Sequence, residues 1–199
     1  MSLILNTRFD AFTHKPTSQY SLAYEKASII FNISAVLSCH AANQTRSEDS
    51  GLKTAYHSFQ ASAGMFTYIN ENFLHAPSTD LSRDTVKTLI QIMLAQGQEV
   101  FLEKQIADGK KVGLLAKLAS QAGYLYSQAV EGVQENVNKA VFEKVWLLVT
   151  QVRITAGLFL KIPPAKQQSN SMPSLNNLAF IKSLSEMSNL SWEVLADGR

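Results

Sequence analysis

Histidine and cysteine side chains are the residues of this sequence best suited to chemistry. His75 lies in the stretch YINENFLHAPSTDLS, close to Ser78 and Asp80. A histidine near a hydroxyl and a carboxylate is a candidate general base. The single cysteine, Cys39, is followed by His40, and a thiol beside an imidazole is a candidate nucleophile. A small hydrolase centred on Cys39 or His75 is therefore one hypothesis for this chain.

The surroundings of these residues argue against catalysis. No glycine-rich turn or strand-to-helix elbow adjoins His75, so a histidine that packs or caps is favoured. Adjacent helical residues point about 100° apart, so Cys39 and His40 do not share a face, and a buried small thiol is favoured. The four histidines have neither HxxxH nor HExxH spacing, which argues against zinc. We predict no catalytic residue, no metal and no cofactor.

The composition is that of a globular protein. Hydrophobic residues make up 46% and charged residues 17% of the chain, which argues against disorder. The net charge is only +2 and no basic block appears, so nucleic acid is not an expected partner. One cysteine excludes an internal disulfide and fits a reducing compartment. No apolar run approaches the roughly 18 residues of a membrane span, so we expect a cytoplasmic protein.

Proline positions and apolar spacing predict four long helices and the start of a fifth. No proline lies between Pro16 and Pro77 or between Pro77 and Pro163, and both stretches are rich in helix-forming residues. Apolar and small residues recur in them at spacings of three and four. The predicted helices run from Ser21 to about Arg46, from Leu52 to Phe73, from Ser82 to Ala107 and from Val112 to Gln134, and a fifth begins near Ala140.

Short polar corners separate these helices. The segment RSEDSG is predicted to turn, with Gly51 at its end, and ADGKKVG forms another tight corner. After Pro77, both Asp80 and Ser82 are placed to accept hydrogen bonds from the free amides of the next helix. Because no strand alternation appears, we predict an all-α array of antiparallel helices, either a bundle or a solenoid of helix pairs.

Two residue pairs predict an apolar trough with a cation at its edge. Phe101 and Lys104 are three apart on the third helix, and Leu114 and Leu118 are four apart on the fourth, so each pair shares a helical face. The corner between the helices is short, which brings the two pairs together. Such a trough accepts an amphipathic helix. The alternative is that the three apolar residues are core.

Several segments resemble successive helices of the BRO domain. They are LAYEKASIIFNISAVLSCHAANQ, FQASAGMFTYINENFLHAPSTDLS, LAQGQEVFLEKQI and LLAKLASQAGYLYSQA. The resemblance runs from about Phe9 to about Gln151, and its opening segment is especially similar to the vacuolar-sorting branch from filamentous fungi. It implies a partial BRO domain over residues 1–152, folded as a curved, tetratricopeptide-like array of antiparallel helix pairs.

The resemblance also implies a function and partners. BRO domains are scaffolds, not enzymes, and bind the C-terminal amphipathic helix of an ESCRT-III subunit during sorting of ubiquitinated cargo into multivesicular bodies. The vacuolar-sorting branch also promotes recruitment of a ubiquitin-removing hydrolase. The implied location is the cytoplasm, peripherally on endosomes. A pH-signalling branch uses the same patch and remains an alternative.

By the same resemblance, five residues are predicted to bind the partner. Phe101 is an apolar contact, Lys104 the cation that faces partner acids, and Leu114 and Leu118 the central apolar anchors. Tyr56 on the second helix falls at a further patch position.

The C-terminal residues 153–199 do not resemble the domain. The expected continuation after Gln151 is missing, as are residues that precede this region in the family, so a truncated gene model, a retained intron or a shifted frame is one hypothesis. Within this tail, apolar spacing from Asn176 to Leu195 predicts an amphipathic helix, although a short isolated helix is marginal in water.

Overall fold

The computed structural model describes residues 5–73 and 77–138. Within them, two short strands precede four long helices. The predicted helices are confirmed, with ends that differ by about one turn. His75, the predicted helix near Ala140 and the tail 153–199 lie outside the described residues. The elements are β1 (Asn6–Phe9), β2 (Pro16–Gln19), α1 (Leu22–Ala42), α2 (Asp49–Asn72), α3 (Arg83–Ala107) and α4 (Val112–Asn138).

Each helix packs against the next one along the chain in the order α1, α2, α3, α4. Cross-contacts between α1 and α2 give their direction. Lys26 Nζ donates to Tyr68 Oη at 2.8 Å, whereas Ser34 Oγ donates to the Ser62 carbonyl at 2.8 Å. The partner number falls as the α1 number rises, so the two helices are antiparallel. The predicted all-α array is confirmed.

Serine caps and one glycine set helix ends. Ser21 Oγ accepts from the Tyr24 N–H and Ser82 Oγ from the Thr85 N–H, both at 3.3 Å, which is N-capping. Gly51 lies in the first turn of α2 and not at the end of the preceding turn. A Cβ there would lie 2.0 Å from the Thr45 carbonyl oxygen, so only glycine fits. 

The segment before α1 forms a hairpin that the sequence analysis missed. Strands β1 and β2 pair antiparallel, with Arg8 opposite Thr17 and Phe9 opposite Pro16. The prediction that no strands occur is wrong for this segment. Each strand has only four residues, and β1 directs the charged Arg8 toward the helices, so no apolar alternation marks it.

Two buried carboxylates anchor the hairpin to the corner between α2 and α3. Arg8 Nη2 donates to Asp80 Oδ2 at 2.5 Å, and the guanidinium lies 5.1 Å from the centroid of the Phe31 ring. The same Asp80 oxygen accepts from the Ala11 N–H at 3.0 Å, and the Asp80 N–H donates to Asp10 Oδ2 at 2.9 Å. Asp80 therefore clamps the hairpin, contrary to the prediction that it caps α3, whereas the prediction for Ser82 is confirmed.

Asp10 organises the turn of the hairpin. Its Oδ1 accepts from the Phe12 and Thr13 N–H groups, both at 2.9 Å. Burial by itself raises the pKa of the Asp10 carboxyl, but the N–H groups of Thr13, Asp80 and Phe12 outweigh it and lower the pKa below its ordinary value of 3.8. The carboxylate is thus charged and satisfied by the backbone.

Buried polar residues fix how the helices align. Asn136 on α4 donates from Nδ2 to Thr88 Oγ1 at 2.9 Å and accepts from Thr85 Oγ1 at 3.3 Å. These bonds hold the far end of α4 against the start of α3, which makes these helices antiparallel as well. The apolar core around them includes Phe59, Phe66, Ile69, Val86, Met93 and Val100.

Candidate functional site

A small groove opens between α2 and α3. Leu52 and Tyr56 of α2 face Val100 and Phe101 of α3, and the groove has a volume of about 190 Å³. The Tyr56 and Phe101 ring centroids lie 5.4 Å apart with the planes inclined by 35°, a tilted contact of the kind favoured between aromatic rings. Both side chains are half-buried, so their remaining faces line an apolar depression.

Charged side chains border this groove. Lys104 Nζ lies 2.7 Å from Asp49 Oδ1 and 2.9 Å from Asp108 Oδ2, and Lys53 Nζ lies 2.6 Å from Asp49 Oδ2. Hydrogen bonds from Lys104 first and Lys53 second hold the pKa of the Asp49 carboxyl below 3.8. The bond to Asp49 first and that to Asp108 second raise the pKa of Lys104 above 10.5. The predicted cation is thus charged, but two acids of this chain share it.

The two predicted leucine anchors lie on the neighbouring helix. Leu114 is 43% exposed, and Leu118, one turn later, is half-buried. Gln98 Nε2 of α3 donates to the Leu118 carbonyl at 3.4 Å, which places Leu118 beside the α3 face that carries Gln98 and Phe101. Neither leucine is fully buried, so both retain apolar surface for a partner.

The structure brings three of the five predicted residues into one groove. Tyr56, Phe101 and Lys104 line it, while Leu114 and Leu118 lie on the adjacent α4. The assignment of these five residues to partner binding stays a prediction.

The sequence analysis did not include Leu52 and Asp49 among the candidate site residues. Leu52 lies four residues before Tyr56, so the helical spacing of α2 already placed it on the same face. The pair Asp49 and Lys53 was likewise visible as an i, i+4 ion pair. The contact between Asp49 and Lys104 depends on how α2 docks on α3, and no spacing within one helix encodes it.

Among the side chains considered for catalysis, Cys39 lies in the described part of the chain, and its surroundings indicate a structural role. Cys39 is half-buried and packs against the hydrophobic core. Among residues 5–73 and 77–138, no group of three His, Cys, Asp or Glu side chains lies close enough together to hold a metal ion. In that part of the chain, no helix has the length and apolar character needed to cross a membrane.

Comparison with known proteins identifies the family. The family described as "BRO1-like domain" matches residues 7–156. The vacuolar protein-sorting protein bro-1 of Neurospora crassa is 83% identical over 148 residues, which are 74% of this chain and 15% of that protein. The chain therefore belongs to the BRO1-like domain family, and the predicted resemblance is confirmed. It spans about 15% of the length of this relative.

Solved structures share the fold. The structure described as "ALIX BRO1 CHMP4C complex" superposes with a TM-score of 0.71 at 35% identity and covers 77% of this chain and 44% of that one. The structure described as "Structure basis for endosomal targeting by the Bro1 domain" gives a TM-score of 0.68 at 25% identity, over 75% of this chain and 41% of that one. The mostly helical arrangement is thus that of known BRO1 domains.

Proposed function

We propose that this chain is an ESCRT-associated scaffold that binds the C-terminal amphipathic helix of an ESCRT-III subunit. The main observation in support is the groove lined by Tyr56, Phe101 and Lys104. It lies beside the partly exposed Leu114 and Leu118. An apolar depression bordered by charge accepts the apolar face of a helix while its polar face stays in water. The BRO1 domain described in complex with CHMP4C supports this class of partner.

Lys104 has a specific part in this proposal. Its ammonium contacts Asp49 and Asp108. An acidic side chain of the partner therefore either adds to these two contacts or replaces one of them. Such an exchange at the rim changes net affinity little and makes it sensitive to salt. The apolar anchors therefore supply most of the affinity.

The name of one relative supports the proposed cellular role. The name "vacuolar protein-sorting protein" of the Neurospora relative favours sorting of ubiquitinated cargo into multivesicular bodies over the pH-signalling role. We extend the proposal to recruitment of a ubiquitin-removing hydrolase and to a cytoplasmic chain held peripherally on endosomes, without enzymatic activity of its own. The solved structure described as "Structure basis for endosomal targeting by the Bro1 domain" supports the location.

The test is a titration of the labelled C-terminal helix of CHMP4C into the chain, monitored by fluorescence anisotropy. Leu118→Asp is expected to weaken binding by about 2–4 kcal/mol, or roughly 30- to 1000-fold, because it places a charge at an apolar anchor. Leu114→Asp is a second variant at a more exposed position. Val36→Asp on α1, where the valine is 67% exposed, is the control and should bind normally.

Circular dichroism on the same samples reports folding. Unchanged binding by folded Leu118→Asp and Leu114→Asp chains would refute the assigned patch, and no binding by the unmodified folded chain would refute the proposed partner.

A further inference from the structure

Two leucines continue the apolar surface beyond the five predicted residues. Leu94 lies seven residues before Phe101 on α3, and Leu125 lies seven residues after Leu118 on α4. Seven residues are about two helical turns, so each leucine lies on the same side of its helix as the patch residue. Leu94 is 41% exposed and Leu125 is half-buried. Both therefore offer apolar surface on the side of the patch.

Gln98 joins the two helices along this side. It lies four residues after Leu94 and three before Phe101, which places it on their face of α3. Its side-chain amide contacts the Leu118 carbonyl. Because α3 and α4 are antiparallel, going from Leu118 to Leu125 along α4 leads toward Leu94 on α3. Phe101, Leu118, Leu94 and Leu125 thus lie along one side of α3 and α4, and we call this strip of side chains the extended groove.

We propose that the partner helix lies along this extended groove, with Leu94 and Leu125 as a second pair of apolar anchors. The inference rests on the function proposed above and extends it. Leu114 and Leu125 are eleven residues apart, or about 16 Å along the helix. The partner must therefore carry apolar residues along about three turns or more, and a shorter apolar stripe would leave the second pair uncovered.

Charge at the ends of the groove also fits such a helix. Lys87 is exposed and lies seven residues before Leu94, on the same side of α3, and Lys104 lies at the other end. These lysines are about 25 Å apart along α3. An amphipathic helix with acidic residues near both ends of its apolar stripe matches this arrangement, with salt-sensitive contacts at each end.

The experiment adds Leu94 variants to the titration with the labelled CHMP4C helix. Leu94→Asp is expected to weaken binding about 5- to 30-fold, because part of one leucine loses its apolar contact. Leu94→Gln should weaken binding of the helix less than Leu94→Asp does. The control is Met65→Asp, since Met65 is 38% exposed and lies half a turn around α2 from Tyr56. It should bind within about twofold of the unmodified chain.

Each outcome has a definite meaning. If both Leu94 variants bind normally while Leu118→Asp loses binding, the patch is retained and the extended groove is refuted. If the unmodified folded chain does not bind the helix, both proposals fail. Weaker binding by both Leu94→Asp and Leu118→Asp, with normal binding by Met65→Asp, supports the extended groove.

Discussion

The ion pair between Arg8 and Asp80 should be the most sensitive point for stability in the hairpin. Asp80 is fully buried, and the Arg8 side chain is only 13% exposed, with 2.5 Å between the guanidinium and the carboxylate. Replacing Arg8 by methionine keeps apolar contact with Phe31 but leaves the carboxylate with the Ala11 N–H as its described donor. Removing one partner of a buried pair costs about 3–5 kcal/mol.

We expect Arg8→Met to lower the free energy of unfolding by about 3–4 kcal/mol, toward the lower end because one donor remains. Urea unfolding followed by circular dichroism measures this loss. Arg83→Met is the matched control, because Arg83 is exposed at the start of α3, and it should change stability by less than about 0.5 kcal/mol.

A double variant tests the physical reason. Arg8→Met combined with Asp80→Leu removes both charges, so most of the lost stability should return, because no unpaired charge stays buried. Hydrogen exchange of the β1 and β2 amides shows whether the hairpin opens alone or with the whole fold. A loss below about 1 kcal/mol in Arg8→Met would refute the view that this pair clamps the hairpin.

Two further predictions concern the polar interior. Asn136→Ala should cost about 1–3 kcal/mol, since it leaves the buried Thr85 and Thr88 hydroxyls short of partners. Exposed Gln134→Ala is the control in the same urea assay, and equal stability of the two variants would contradict the prediction. The lowered pKa of Asp10 predicts a contribution to stability that is fully present above pH 3.8 and is lost as the pH falls through the lowered value. The difference in stability between the unmodified chain and Asp10→Asn should therefore shrink in acid, and a difference that grows there would contradict the assignment.

The helices follow from local signals in the sequence. Proline-free stretches and apolar spacing placed α1 and α3 to within about one turn, and the predicted Ser82 cap marked the start of α3, because capping and periodicity act over a few neighbouring residues. The hairpin was not predicted because the side chain that β1 directs toward the helices is the charged Arg8. Its partner Asp80 is distant in sequence. Asp80 was predicted to cap a helix, since no residue near it in the sequence indicates that it pairs with Arg8.

The groove was predictable only in part. Spacing paired Phe101 with Lys104 and Leu114 with Leu118, because each pair lies within one helix. Tyr56 came from family resemblance, and its ring contact with Phe101 needs the packing of α2 on α3. Asp49 could not be foreseen as a partner of Lys104 for the same reason.

Site-specific photo-crosslinking tests most directly where the partner helix binds. A photoreactive amino acid replaces Leu114 in one chain and Val36 in another, and each is irradiated with the labelled CHMP4C helix. We expect a crosslink from position 114 that unlabelled helix competes away, and none from position 36. A helix that binds the chain yet crosslinks from position 36 and not from position 114 would refute the proposed binding surface.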